Sequence, residues 1–262
     1  MDNFDAAAAT RLDDRAVVRI AGDDVRGFLQ GLVTNDVMAV APDRPVWAGL
    51  LSPQGKALFD FILWDGGDGA ILIDCEAAEA PALTQRLTLY RLRRAITLTP
   101  ATAGVHWSRE PIPGAAADPR LAALGYRWLG PAAGDSASDE WRRHRLALGV
   151  AEGAGELGRG ETLWLEANAR ELNGVSFAKG CYVGQENTAR MHHRAKVNRR
   201  LVAAPIAAEG PRTRCRFPDL GLMIELRRVD DLGDAHIPAW LAAALATDRA
   251  EEQAMGNPAP AA

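Results

Sequence analysis

Residues 179–186 are the part of this sequence best placed to do chemistry. They read Lys-Gly-Cys-Tyr-Val-Gly-Gln-Glu, and a helix is predicted from Gln185 onward. Cys181 therefore comes just before a helix N-terminus, where free amides and the helix dipole favour a thiolate. The cation of Lys179 would act in the same direction. The pattern predicts a reactive or ligand-forming thiol, and a small buried cysteine in a tight turn would fit it too.

Two histidines on the predicted helix could take part in chemistry together with Cys181. His192 or His193 could join the thiol in a metal site or in a nucleophile–base pair. Their spacing meets no zinc pattern, and no second cysteine lies nearby in the sequence. We therefore predict no metal site.

Glu166 and a basic run are further candidates. Glu166 follows an apolar run, where a carboxylate could accept the flat N–H edge of a pterin or simply complement a helix dipole. A run of basic residues could bind phosphates, or it could be the solvent-exposed C-terminal end of a helix. Its members are Arg190, His192, His193, Arg194, Lys196, Arg199 and Arg200.

The elements that position these residues follow from the hydrophobic pattern. The first part predicts a helix (23–32), three strands (46–51, 57–64, 70–74), a helix (81–92) and a strand (96–99). The next part predicts a strand (126–129), a helix (139–148), an ordered Gly-rich connection (151–160) and, from 201 to 229, a few strands. This order predicts an α+β protein with a mostly antiparallel sheet.

Composition excludes several classes of protein. Of the 262 residues, 48% are hydrophobic and 24% charged, which suits a packed core and excludes wholesale disorder. The net charge of −4 argues against broad coating of nucleic acid. No apolar run approaches the roughly 18–20 residues of a membrane span, and the acidic residues 1–5 predict a cytoplasmic protein. Three widely spaced cysteines predict no disulfide framework.

Three segments occur in the order in which the YgfZ family carries them. They are Phe-Leu-Gln-Gly-Leu-Val-Thr-Asn-Asp at 28–36, Leu-Ser-Pro-Gln-Gly-Lys at 51–56, and the motif at 179–186. Over residues 12–202 the sequence thus resembles YgfZ, the folate-binding, iron–sulfur-related branch of the aminomethyltransferase (glycine cleavage T-protein) superfamily. Mitochondrial counterparts of that family serve late assembly or insertion of 4Fe–4S clusters.

The resemblance implies an aminomethyltransferase-like cloverleaf of α+β subdomains around a central channel that binds tetrahydrofolate. A small, truncated C-terminal β-barrel would follow. The implied division is a first subdomain at 1–105, a second with the motif at 106–200, a short β region at 201–240 and a flexible tail at 241–262.

The resemblance also assigns roles to residues. Cys181 is the motif thiol, Lys179 is the motif lysine, and Glu166 matches the carboxylate that holds the pterin in T-proteins. The other implied folate-binding residues are Asn35, Asp36, Gly180, Gly184, Gln185 and Glu186. T-proteins carry an Asp pair for aminomethyl transfer, whereas only Asp60 stands here, so Asp60 would be catalytic only in a transferase.

We therefore expect a tetrahydrofolate-binding accessory protein, rather than an active aminomethyltransferase, with Cys181 as its key thiol. It would support assembly, insertion or repair of iron–sulfur clusters in client enzymes, tRNA-modifying enzymes among them. Its partners would be folate, iron–sulfur assembly or client proteins and, indirectly, tRNA, with no membrane partner. The alternatives are a folate-dependent aminomethyl or one-carbon transferase, and a scaffold that meets RNA through the basic run.

Overall fold

Short apolar runs between turn residues form the strands of this protein, and runs with helical spacing form its helices. The computed structural model describes residues 9–193 and 197–256. In chain order the strands are β1 (Arg11–Leu12), β2 (Arg15–Gly22), β3 (Val46–Leu51), β4 (Ala57–Asp65), β5 (Ile71–Glu76), β6 (Ile96–Pro100), β7 (Ala103–Ser108), β8 (Ala116–Ala117), β9 (Tyr126–Pro131), β10 (Arg199–Pro205), β11 (Thr213–Phe217) and β12 (Leu222–Arg228). The helices are α1 (Val25–Gln30), α2 (Ala80–Arg91), α3 (Ser138–Ala147), α4 (Ala154–Leu157), α5 (Gln185–His193) and α6 (Ala239–Gly256).

The first unit is a five-stranded antiparallel sheet in the order β3-β4-β5-β2-β6, with α1 and α2 packed beside β2. The helical spacing seen in the sequence has its reason here. Phe28 and Leu29 of α1, and Leu83 and Leu87 of α2, are buried in one apolar cluster with the sheet. The cluster fixes the sheet from which the turn at 52–56 projects.

The second unit is an antiparallel sheet in the order β1-β7-β9-β8. Helix α3 packs on it, with the rings of Trp141 and Trp107 5.3 Å apart between centroids. The α+β class is thus confirmed, while β2 and β7 were missing from the predicted elements. The predicted boundary at residue 105 falls inside β7, and the division into subdomains stays a prediction.

The third unit is a three-stranded sheet in the order β10-β12-β11, and its strands do not close into a barrel. Helix α6 covers this sheet, because Leu241 and Leu245 are buried against Val202 of β10. The predicted tail is therefore wrong where α6 runs, since alanine, the best helix former, dominates the start of this stretch. Within the described ranges, no helix is long and apolar enough to cross a membrane.

Candidate functional site

The three segments that share an order with YgfZ meet in space around Cys181. The hydroxyl of Thr34 donates to the carbonyl of Gly174 at 2.6 Å, and the Ser176 amide donates to the Thr34 carbonyl at 3.1 Å. On the other side, the Asn187 side chain donates to the carbonyl of Gln54 at 3.0 Å. The motif segment is therefore held between the loop at 33–36 and the turn at 52–56.

Gly184 is the point at which the motif and the turn touch most closely. Its φ is +82°, and a Cβ there would lie 2.4 Å from the carbonyl oxygen of Ser52. Only glycine meets both demands without strain. Gly180 differs, because a Cβ on it would have no neighbour within 4 Å. The first motif glycine lies in open space and the second is required by packing.

Cys181 is the exposed cysteine of this chain, and it lies four positions before Gln185, where α5 begins as predicted. Burial raises the pKa of the Cys75 thiol to about 12. Burial also raises the pKa of Cys215, which is half-buried on β11. The exposed thiol at the motif is thus the accessible one, and the buried-turn alternative for Cys181 is excluded.

Lys179 binds the main chain of the loop at 33–36. Its ammonium donates to the carbonyl of Val33 at 2.5 Å and to that of Asn35 at 3.0 Å. Burial lowers the pKa of Lys179 to about 8, against the opposing effect of the Asp36 carboxylate. The predicted influence of this cation on the Cys181 thiol stays a prediction.

The structure gives the histidines and the basic run other surroundings than a metal site or a nucleic-acid surface. The ring of His192 stacks on Phe177 with centroids 3.7 Å apart, and no group of three or more metal-ligating side chains was found in the ranges that the structure covers. Arg200 is fully buried in ion pairs with Glu171 and Asp248, so it cannot face RNA. Arg194 and Lys196 lie outside the described residues.

Four of the other predicted ligand residues line two separate hollows, whereas Asp36 and Gly180 line neither. Asn35 lines a groove of about 560 Å³ together with Arg44, Trp47 and Asn173. A second hollow of about 570 Å³ lies beside the motif. It is lined by Pro53, Tyr182, Val183, Gly184, Gln185 and Glu186. Asp36 lines neither hollow. Its carboxylate instead accepts the Met38 amide and caps the short 3-10 helix Val37–Ala39.

Glu166 is buried, and neither hollow includes it. One carboxylate oxygen accepts the Leu163 amide at 3.3 Å. Burial raises the pKa of Glu166, while that amide and the cations of Arg199, Arg214 and Lys56 act in the opposite direction. The carboxylate thus sits among basic side chains under the turn.

Asp60 is buried as well, and both of its carboxylate oxygens are in use. One accepts the Trp47 indole N–H at 3.1 Å and the other the Gly153 amide at 3.0 Å. Burial raises the pKa of Asp60. A transferase base would have to reach its substrate, so this geometry disfavours a catalytic role for Asp60.

The interior near Asp60 is filled with aromatic side chains. The rings of Trp47 and Trp164 lie 4.9 Å apart between centroids. A Cβ on Gly174 would lie 2.5 Å from the Trp47 ring, and one on Gly49 would lie 2.9 Å from Trp164. Because Trp47 also donates to Asp60, these rings close the interior beside that carboxylate. Neither Asp60 nor Glu166 lines one of the two hollows, so neither is placed to hold a pterin there.

Behind the tryptophans lies a buried ionic cluster that the sequence analysis missed. It pairs guanidinium groups with carboxylates, and its members are Arg15, Arg120, Arg127, Arg145, Asp74, Asp118, Glu152 and Glu156. The available signal was a charged residue inside an apolar strand pattern, as at Arg15 and Asp74. Such residues are rarely buried unless they are paired.

Glu152 is the centre of the ionic cluster. Its carboxylate accepts Arg120 at 2.6 Å and Arg127 at 2.8 Å. The indole N–H of Trp141 donates to its other oxygen at 2.9 Å. Burial alone would raise the pKa of Glu152, but the surrounding arginines outweigh burial and hold it well below its usual range.

Curated relatives of this chain are named iron–sulfur cluster assembly factors. The human mitochondrial iron-sulfur cluster assembly factor IBA57 is 37% identical over 233 residues, which cover 75% of this chain and 65% of that protein. The mouse protein of the same name is 35% identical over 241 residues, with 77% and 66% covered. A homologue from Mycosarcoma maydis is 36% identical, with 73% and 55% covered. The chain thus spans just under two thirds of the two mammalian relatives.

The fold has a counterpart among solved structures. Aminomethyltransferase T of the glycine cleavage system from Bartonella henselae superposes with a TM-score of 0.54 at 12% identity, covering 86% of this chain and 80% of that one. This likeness confirms the predicted aminomethyltransferase-like fold. No family model matches the chain.

The prediction of a cytoplasmic location is wrong, because these relatives are named as mitochondrial proteins. The prediction rested on the acidic character of residues 1–5, which does not determine the compartment.

Proposed function

Because the chain has homologues among iron–sulfur cluster assembly factors and the fold of aminomethyltransferase T, we propose that it is itself such an assembly factor. It acts as an accessory protein that supports assembly, insertion or repair of clusters in client enzymes, with Cys181 as its key thiol. The narrower kinship with YgfZ rests on the three shared segments and belongs to this proposal, as do tRNA-modifying enzymes as clients.

The observation that carries this proposal is the exposure of Cys181 where the three segments converge. Iron–sulfur clusters are held by cysteine thiolates, usually four of them. In the described ranges Cys181 belongs to no group of three or more potential metal ligands. A cluster that this thiol touches would therefore take at least part of its other ligands from a partner protein, which suits transfer or insertion better than storage.

Tetrahydrofolate has no step in this proposal. The two carboxylates predicted to serve it, Glu166 and Asp60, are buried and line neither hollow. The transferase alternative is weakened by the same packing, because Asp60 is buried and both its oxygens are occupied. Purified protein that turned over an aminomethyl or methylene donor with tetrahydrofolate, and lost this turnover on Asp60→Asn, would restore the alternative.

Complementation of a strain that lacks the gene tests the proposal. We would measure the activities of its 4Fe–4S enzymes, normalised to their abundance, with the wild-type chain, Cys181→Ser and Cys215→Ser. We expect Cys181→Ser to match the empty vector and Cys215→Ser to match the wild type, since Cys215 is half-buried and remote in sequence from the motif. Full activity with Cys181→Ser would overturn the role of this thiol.

A further inference from the structure

A groove of about 440 Å³ on the first unit lies apart from the motif. One wall is the face of α2 that carries Arg86 and Leu89, and the opposite wall includes Leu58 at the start of β4 and Arg159. None of the residues that line this groove lines the hollow beside Cys181. The groove is therefore a second surface, distinct from the one at the motif.

The face of α2 that forms this wall differs from the face that packs on the sheet. Leu83 and Leu87 are buried in the apolar cluster of the first unit. Leu89 is 65% exposed, and Leu92, directly after the helix, is 83% exposed. Together with Met38 they are the large hydrophobic side chains that stand exposed among the described residues. Two leucines are thus left outside the core at one end of α2.

Backbone strain occurs at the same surface. Six of the described residues other than glycine have a positive φ, and four of these are Asp or Asn, which tolerate this conformation. The other two are Leu92, with a φ of +54°, and Arg159, with a φ of +38°. Glycine would adopt such angles at no steric cost, and strain of this kind is typical of functional positions. One of the two ends the helical wall, and the other lines the opposite wall.

The surroundings of the two leucines are basic. From residue 80 to residue 109 the sequence contains five arginines and no carboxylate, although the whole chain has a net charge of −4. Arg93 is exposed next to Leu92, and Arg94 has the exposed carboxylate of Asp24 at 3.5 Å. Cations at a helix C-terminus complement the helix dipole, but the dipole does not account for the exposed leucines. The charge that complements this surface is negative.

We propose that the groove and the adjoining end of α2 dock a partner protein through an acidic segment that carries apolar side chains. The apolar side chains would lie against Leu89 and Leu92, and the carboxylates would pair with Arg86 and Arg93. This mode combines an apolar contact with charge complementarity, as amphipathic segments do in the grooves that bind them. The proposal does not depend on the role of Cys181.

A protein segment suits this surface better than a lipid bilayer does. The surface is concave, and the ion pair between Glu79 and Arg159, 2.5 Å long, lies within its lining. The pair also neutralises the carboxylate that would otherwise repel an acidic segment. Since Leu83 and Leu87 of α2 are used by the core, the helix keeps no continuous apolar face that could enter a membrane.

Synthetic peptides measure the predicted preference on the full chain by fluorescence anisotropy. Three peptides of equal length are compared: an amphipathic helix of leucine and glutamate, the same residues in scrambled order, and an amphipathic helix of leucine and lysine. We expect saturable binding of the first and affinities weaker by about tenfold or more for the other two. Leu89→Gln should weaken the first peptide by about tenfold, because the burial of a leucine side chain is lost. Arg93→Glu should also weaken it, and this effect should fade at high salt, since exposed charges are screened.

Matched controls alter the same residue types outside the groove. Met38→Gln removes an exposed apolar side chain, and Arg109→Glu reverses an exposed basic one, so both should leave the affinity unchanged. Controls that weaken binding as much as Leu89→Gln and Arg93→Glu do would overturn the proposal. So would equal binding of the leucine–lysine peptide, or no saturable binding up to about 1 mM of the leucine–glutamate peptide. The altered side chains are exposed, and circular dichroism confirms that each variant is folded.

Two other occupants are tested with the same variants. Co-sedimentation with vesicles of phosphatidylcholine and phosphatidylserine measures membrane binding, and sedimentation velocity measures self-association. Vesicle binding or dimers that disappear in Leu89→Gln would assign the surface to a membrane or to a second copy of the chain, and would overturn the proposal. Either failure leaves the result of the Cys181→Ser complementation untouched, so the two proposals fail independently.

Discussion

Replacement of Glu152 by glutamine tests the ionic cluster behind the tryptophans. The carboxylate accepts two guanidinium bonds, from Arg120 and Arg127, and one indole bond. Glutamine keeps a single acceptor oxygen and carries no charge. Arg120 and Arg127 keep Asp118 and Asp74 as partners, but the cluster then holds one more guanidinium than carboxylate. An uncompensated buried charge of this kind costs about 3–5 kcal/mol.

This loss is a large part of the stability of the protein, since domains are stable by only about 5–15 kcal/mol in all. With roughly 2–4 °C per kcal/mol for a chain of this size, the melting temperature should fall by roughly 6–20 °C. Urea unfolding followed by tryptophan fluorescence and by circular dichroism measures the loss. The control is Glu140→Gln, whose exposed pair with Arg109 should contribute less than about 1 kcal/mol.

The pH dependence of this loss has a definite sign. The folded state holds the pKa of Glu152 well below its usual 4.5, so the ionised carboxylate stabilises the protein above that pH. As the pH falls toward the folded pKa, this contribution disappears. The difference between wild type and Glu152→Gln should therefore shrink below pH 4.5. A Glu152→Gln variant within about 1 kcal/mol of the wild type at pH 7 would refute the reasoning.

Three further predictions follow from the packing. Gly184→Ala should destabilise the protein by about 1–3 kcal/mol in urea unfolding, because its φ is positive and its space is filled, whereas Gly180→Ala should change stability little. Truncation of Leu241, a residue of α6 buried against β10, to alanine should cost about 2–5 kcal/mol in the same assay, and an unchanged midpoint would contradict the packing of α6. Calorimetry should show no saturable tetrahydrofolate binding; an isotherm weakened tenfold by Glu166→Ala, about 1.4 kcal/mol, would restore the predicted folate site.

Local patterns predicted the elements around the site well. The strand at 46–51 and the helix that begins at Gln185 were both predicted, because turn residues bound the first and helical spacing marks the second. For Cys181 the sequence left open a reactive thiol and a small buried cysteine, and its exposure in the structure decides against the buried one. The missed strand β2 carries a buried arginine at its start, which breaks the apolar pattern by which strands are recognised.

Side-chain direction and long-range pairing could not be predicted. Lys179 is a neighbour of Cys181 along the chain, but its ammonium reaches carbonyls more than a hundred positions away. Nothing in the sequence marks Trp47 and Trp164 as neighbours, and only the folded structure shows that their rings pack together in the interior. The shared motifs therefore predicted the fold, whereas the fit of tetrahydrofolate depends on residues outside the motifs.

Arg200, fully buried on β10, joins the motif-bearing segment to the last helix through Glu171 and Asp248. Arg170 also binds Asp248, across 78 positions of sequence. Contacts between such distant positions form slowly, because a long loop must close before they stabilise the protein. The strands of the first sheet all end by Pro100, so that sheet can form before this junction does. The segment leading to Cys181 should therefore be completed after the first sheet, and substitutions at this junction should speed unfolding more than they slow folding.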